Sequence, residues 1–355
     1  MSKRDGCIDL VSIEDIPDSW RAYIRRNIEC PCCFVTGAEI VRGGVSRSSA
    51  RIVRQPYFRF VEPGHREHCD FAASDRANAI PENLVAFSNS KSNLTRAVRE
   101  LVCTAISLGF VSQRLIRDMR EWFFSKKVES SFEVTLDPRL PRWISELWRS
   151  ASFLNATHLP KDIPLTPDIA RIPGFDWRGE AIRVQHARYS EVLALIRQQR
   201  LWCSIEGAER VATLADRYHG QRCFDPSVLE DEYNTALALA EFISANYSPI
   251  KSATRTDRYR TVNVSVLAFS ALLLFANKWE LRRSIDAFAS IARAVGDSNQ
   301  LLGNVMGLNP FHDFEAWKLL KRLQTSKITL PQDADPRAEL KDIEHKLRLR
   351  FGAAM

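Results

Sequence analysis

No run of apolar residues in this sequence is long enough to cross a bilayer. The longest, Val264 to Ala276, has serines inside it and falls short of the roughly 20 residues a spanning helix needs. The amino end, Met-Ser-Lys-Arg-Asp-Gly-Cys-Ile-Asp-Leu, places acids where a secretory signal has an uninterrupted apolar stretch. A cytoplasmic protein with no membrane partner is expected. Eight cysteines in 355 residues are too few for a disulfide scaffold. Also missing are the Gly-x4-Gly-Lys-Ser/Thr phosphate loop, Gly-x-Gly-x-x-Gly, Gly-x-Ser-x-Gly and His-Glu-x-x-His. No catalytic residue is therefore assigned.

With 45% hydrophobic and 26% charged residues, the chain can bury a sizeable core. Its eight cysteines are unevenly spread, and Cys30, Cys32, Cys33 and Cys69 fall close together. Cys30 and Cys33 form a Cys-x2-Cys pair with Gly37 shortly after. A tight turn lets two such thiolates converge on one Zn2+, which then requires two more nitrogen or sulfur ligands. His65-Arg66-Glu67-His68-Cys69 supplies them, since a separation of four puts His65 and Cys69 on one face of a helical turn. The expected set is Cys30, Cys33, His65 and Cys69, with His68 as the substitute for His65 and Cys32 as a spare thiol. Four protein ligands make a structural Zn2+ site, with no open position for hydrolysis.

These residues resemble the amino-terminal zinc module of bacterial CoiA-like competence proteins, in which a Cys-Pro-x-Cys knuckle precedes a His-Phe-x-His-like element. Cys30-Pro31-Cys32-Cys33, the basic glycine-containing loop and Pro56-Tyr57-Phe58-Arg59-Phe60 carry the likeness over about residues 28–72. Tyr57 and Phe60 stand where that pattern has histidines, which moves the second ligand pair to His65 and Cys69. The resemblance implies a bacterial DNA-processing, phage-defence or mobile-element context. The family's nuclease does not carry over, because no acidic and lysine core follows residue 80. Asp342, Glu344, His345 and Lys346 read as the solvated face of a tail helix.

The expected fold is mainly α, with a small zinc-bound β-hairpin or ribbon at the amino end and an irregular multi-helical domain after it. Within residues 1–80, Trp20, Tyr23, Ile24 and Ile28 form one apolar helical stripe, and short alternations after Cys30 indicate strands around a loop at Gly43–Ser49. Residues 81–156 contain a helical hairpin: Leu94, Val98, Leu101, Val102, Ala105 and Ile106 line one helix and Val111, Leu115, Ile116, Met119, Trp122 and Phe123 the other, with Gly109 between. Ser130–Leu136 reads as a strand. Prolines 160, 164, 167 and 173 mark 157–179 as a linker. Residues 180–355 form the helical domain, with helices near 187–200, 205–218, 227–246, 262–278, 279–295, 312–324 and 335–350. The helix at 264–276, apolar on nearly every side, belongs at its centre.

The formal charge is +7, and most of the excess lies beside the cysteines. Arg42, Arg47, Arg51, Arg54 and Arg59, with Tyr57 interleaved, combine phosphate neutralisation with ring stacking. Ala105, Gly109 and Leu115 also fit a helix-turn-helix, which would turn Arg114 and Arg117 toward a groove. Any helical hairpin with a turn glycine satisfies the same three positions. Arginine outnumbers lysine 38 to 12, which suits bidentate phosphate contacts, although a GC-rich genome produces the same bias. The leading expectation is a zinc-stabilised protein that binds DNA or RNA through phosphates. The alternative is a non-catalytic subunit or adaptor of a bacterial multiprotein complex, with the zinc module and the helical domain contacting protein partners.

Overall fold

The computed structural model describes residues 16–30, 32–42, 44–45, 52–54, 57–66, 69, 71, 84–86, 93–152, 163–254, 263–294, 306–332 and 334–352. Among them run α1 (Arg21–Asn27), β1 (Ala38–Val41), β2 (Gly44–Val45), β3 (Ile52–Arg54), β4 (Tyr57–Phe60), β5 (Leu84–Ala86), α2 (Asn93–Ser107), α3 (Gln113–Glu129) and β6 (Ser131–Glu133). Next come α4 (Arg139–Ser152), α5 (Pro167–Ala170), α6 (Trp177–Arg188), α7 (Ser190–Gln199), α8 (Ile205–Arg217), β7 (Arg222–Phe224) and α9 (Glu230–Asn246). The chain ends with α10 (Ser248–Thr254), α11 (Val264–Ala276), α12 (Leu281–Arg293), β8 (Met306–Leu308), α13 (Phe314–Thr325) and α14 (Pro336–Gly352). The architecture is mainly α, and each described sheet is a pair of short antiparallel strands. No described helix is long and apolar enough to cross a membrane.

At the amino end β1 pairs with β4, from Ala38↔Phe60 to Val41↔Tyr57, and Gly44↔Arg54 continues that register into β2 and β3. One long hairpin results, whose tip lies outside the described residues. Alternation along β4 leaves Tyr57 and Arg59 exposed and turns Phe58 and Phe60 inward, as a period of two requires. The stripe expected on the leading helix is not buried as one face. In α1 only Ile24 is covered, because seven residues make too short a helix to hide a full stripe.

The domain division differs from the expected one. Two compact units interleave along the chain: the first comprises Met1–Ser130 and Ser227–His312, the second Ser131–Pro226 and Asp313–Met355. The proline-rich stretch at 157–179 does not separate them, because α4 before it packs against α6 and α8 after it. Its described prolines serve local turns. Pro167 opens α5 behind the Thr166 cap, a position where a proline's missing N–H costs nothing, and Pro173 precedes Gly174, whose φ is +79°.

In the first unit, Ser265 through Leu274 of α11 are all buried. The helix packs against α9, α2, α3 and α12, so its lack of a polar face is satisfied on every side. Within it, the buried Ser270 hydroxyl has no hydrogen-bond partner among the described residues. Ser270→Ala is therefore expected to stabilise the protein by about 1 kcal/mol, since it removes an unsatisfied polar atom at little change in volume. A urea unfolding midpoint that falls would contradict this.

The second unit is built on Trp143, Ile144 and Leu147 of α4, Ile196 of α7, Val211 and Leu214 of α8, and Leu320 and Leu323 of α13. Glu180 is buried and bonded to Arg183 through both carboxylate oxygens. On α14, Asp342 pairs with Lys346 and Glu344 with Arg348, the i,i+4 pattern of a solvated helix.

Candidate metal centre

The first unit brings Cys30, Cys33, His65 and Cys69 together. Cys30 and Cys33 come from the turn between α1 and β1, His65 and Cys69 from the segment after β4. The turn is closed by two backbone bonds, Cys30 N–H to the Val35 carbonyl at 2.9 Å and Phe34 N–H to the Cys30 carbonyl at 3.0 Å. Phe34 takes the left-handed conformation inside it, with φ +57°. Gly37 makes the next contact. Its φ is +101°, and a Cβ there would lie 2.3 Å from the Glu62 carbonyl oxygen, so only glycine lets the two ligand-bearing segments approach this closely.

The ligand atoms all lie within 4.8 Å of one another. Cys30 Sγ is 3.7 Å from Cys69 Sγ, Cys33 Sγ is 3.6 Å from His65 Nδ1, and Cys69 Sγ is 3.5 Å from the same nitrogen. A tetrahedral ion with sulfur at about 2.3 Å and nitrogen at about 2.05 Å has S–S edges of about 3.8 Å and S–N edges of about 3.6 Å. These separations match, and the four side chains can hold a metal ion.

The surroundings exclude water. The three ligand cysteines and Cys32 are buried with Val35 and Phe124, and Phe60 and Phe71 pack against them. The His65 ring sits 5.3 Å from that of Phe60 and 6.2 Å from that of Phe71. Backbone N–H groups of Cys32 and Phe71 each point at a ligand sulfur at 3.5 Å, on Cys30 and Cys69 respectively. The Cys69 thiol beside it pulls Cys30 down to about 5, against the opposing push of burial. Cys69 moves up, first because it donates to Cys30 and then because Cys32 and burial act in the same direction.

The residue spacing of the second pair works through a different geometry from the one expected. Cys69 N–H donates to the Arg66 carbonyl at 3.1 Å, closing a turn, and no helix is assigned to the described residues of 65–69. His68, the proposed substitute, lies outside the described residues. Cys32 is buried but is not part of the four-ligand group.

Of the residues expected to touch nucleic acid, Arg47 and Arg51 lie outside the described residues, and Arg54 ends β3. Arg42 is exposed and bonds Asp18 Oδ1 at 2.9 Å and the Ile16 carbonyl at 3.3 Å. Arg59 reaches its cross-strand neighbour Glu39 at 3.1 Å. Tyr57 is 44% exposed. Arg114 is exposed at the start of α3, with no ionic partner among the described residues. Arg117 does not project freely as the groove-reading arrangement requires. It bonds Glu29 at 2.6 Å, and its guanidinium lies 5.3 Å from the centre of the Phe34 ring. Phe124, two turns further along α3, enters the cysteine cluster, so Arg117 braces the knuckle against that helix. The sequence reading missed Phe34, Phe71 and Phe124. Phe34, adjacent to Cys33, and Phe71, two residues after Cys69, had a local signal; Phe124 had none.

No family model matches the chain, nor does any curated protein or solved structure. The likeness to the CoiA-like zinc module accordingly rests on the quoted residues alone.

Proposed function

We propose that the Cys30, Cys33, His65 and Cys69 cluster holds a structural Zn2+ and that the module it stabilises binds DNA or RNA through its arginines. Zinc suits the donor set, since three thiolates and an imidazole at tetrahedral separations are a closed structural arrangement. The nucleic-acid reading is carried by how charge is distributed around this site. Asp18, Glu29 and Glu39 are each engaged by an arginine. Arg25, Arg26, Arg66 and Arg114 remain exposed, with no acidic partner among the described residues. The existing pairs are themselves exposed, worth about 0–1 kcal/mol each, so a phosphate can displace their carboxylates at small cost.

The test is fluorescence anisotropy of the zinc-loaded full chain with a labelled oligonucleotide between 50 and 200 mM salt. Four phosphate contacts give a log–log slope of about −3 to −4. Replacing Arg47, Arg51 and Arg54 together with alanine is expected to reduce the slope by about 2–3. Unchanged affinity in that variant removes the hairpin tip from the interface. No binding at 50 mM salt overturns the reading in favour of a protein-contacting subunit.

A further inference from the structure

Among the described residues of the metal module, three aromatic side chains are exposed: Trp20 at 53%, Tyr23 at 40% and Tyr57 at 44%. Trp20 and Tyr23 sit together at the start of α1, their ring centres 6.1 Å apart at 62°, and Ile24 is the buried residue of that helix.

Arginines flank the pair on α1. Arg42, at the end of β1, bonds Asp18 and the Ile16 carbonyl just before that helix, and the exposed residues of α1 include Arg21, Arg25 and Arg26. Asp18 is held by both Arg21 and Arg42. Tyr57 stands apart, because it faces Val41 across the strands and Val41 alternates to the side opposite Arg42.

Large rings left in water beside arginines match a ligand that offers flat apolar faces and negative charge together. Unpaired nucleotides do so, whereas a duplex hides its base faces in the stack and presents only phosphates and base edges. Building on the nucleic-acid reading above, we propose that Trp20 and Tyr23 form a stacking platform for unpaired bases, with single-stranded DNA or RNA as the preferred ligand. The arginines track the backbone while the rings hold the bases, without reading sequence.

The experiment is anisotropy of the zinc-loaded full chain at 150 mM salt, with a labelled 20-nucleotide oligo-dT and a labelled 20-base-pair duplex as probes. The expected result is at least about tenfold tighter binding of the single strand. Trp20→Leu/Tyr23→Leu should weaken oligo-dT binding by about tenfold or more and leave duplex affinity within about twofold, with an unchanged salt slope because no cation is removed. Trp20→Phe/Tyr23→Phe, which keeps rings at both positions, should retain most of the single-strand affinity. Metal content of each variant shows that the module is folded, and the phenylalanine variant serves if the leucine one is not. In that variant the oligo-dT-induced quenching of Trp20 fluorescence should disappear while binding persists. Equal affinity for both probes, or unaltered oligo-dT binding in the leucine variant, overturns the platform and leaves phosphate binding standing. Failure of both probes to bind at 50 mM salt overturns the nucleic-acid reading as well and assigns the exposed rings to a protein contact.

Discussion

Cys33→Ser and Cys69→Ser are each expected to yield protein without bound zinc and with the module between α1 and α3 open to protease. Serine removes a thiolate from a closed four-ligand set, and the weakened site is expected to lose its ion on dialysis. The structural effect is large because little else holds the segment together. Of the six buried residues in its core, four are cysteines, and the hairpin strands are at most four residues long. Structural zinc contributes on the order of 10–16 kcal/mol of apparent binding energy in small modules, far more than those contacts. Cys32→Ser is the control, since Cys32 is buried outside the ligand group and its loss should leave one equivalent of metal in place. His65→Ala and His68→Ala separate the two histidines, with metal lost only from the first. Elemental analysis after dialysis, combined with limited proteolysis, reads all of these. A full equivalent of zinc in Cys33→Ser or Cys69→Ser would refute the site.

Phe269→Ala should cost about 3–5 kcal/mol, a substantial part of the 5–15 kcal/mol typical of a folded domain. Phe269 is completely buried in the middle of α11, a helix enclosed by four others, so the surroundings cannot close on the cavity by moving toward solvent. Phe269→Leu keeps most of the volume and is expected to cost about 1.5 kcal/mol or less. Urea unfolding followed by circular dichroism distinguishes the two. Equal midpoints for Phe269→Ala and the parent would mean that α11 is not the centre of its unit.

The features that could be read from the sequence were those whose cause is local. Two thiolates at Cys-x2-Cys spacing and a His–Cys pair mark a metal site by density alone, and α11 identifies itself by the absence of any polar face. The carboxyl-terminal acids and bases identified a solvated helix through their own i,i+4 spacing. What escaped depends on partners distant in the chain. Arg117 looks like a groove-facing residue until Glu29 and Phe34 are brought beside it. Trp20 and Tyr23 look like core, because periodicity does not say that a helix is too short to bury its stripe. Helix α4 is not among the expected helices, although a proline in the first turn is compatible with helix and Leu140, Trp143, Ile144 and Leu147 carry its buried face. The division into units was the least legible. It rests on packing between helices far apart in the chain, α2 and α3 against α10 to α12 in one unit and α13 and α14 against α4, α6 and α8 in the other, and a helix's own residues do not name its partner.

That interleaving sets an order of events during synthesis. All four ligands of the metal centre have been translated by residue 69, so the knuckle can take up its ion while most of the chain is still unmade. Its α3 wall, with Phe124, follows soon afterwards. The rest of the first unit must wait: α9 to α12 and β8 emerge only after residues 131–226 have been added, a delay of about 5 to 20 seconds at ordinary elongation rates. Through that interval α2 and α3 lack α11, and their apolar faces are exposed. A nascent chain of this design carries those faces uncovered between residues 130 and 276, and a stop codon in that span leaves the cysteine knuckle attached to helices with no core to join.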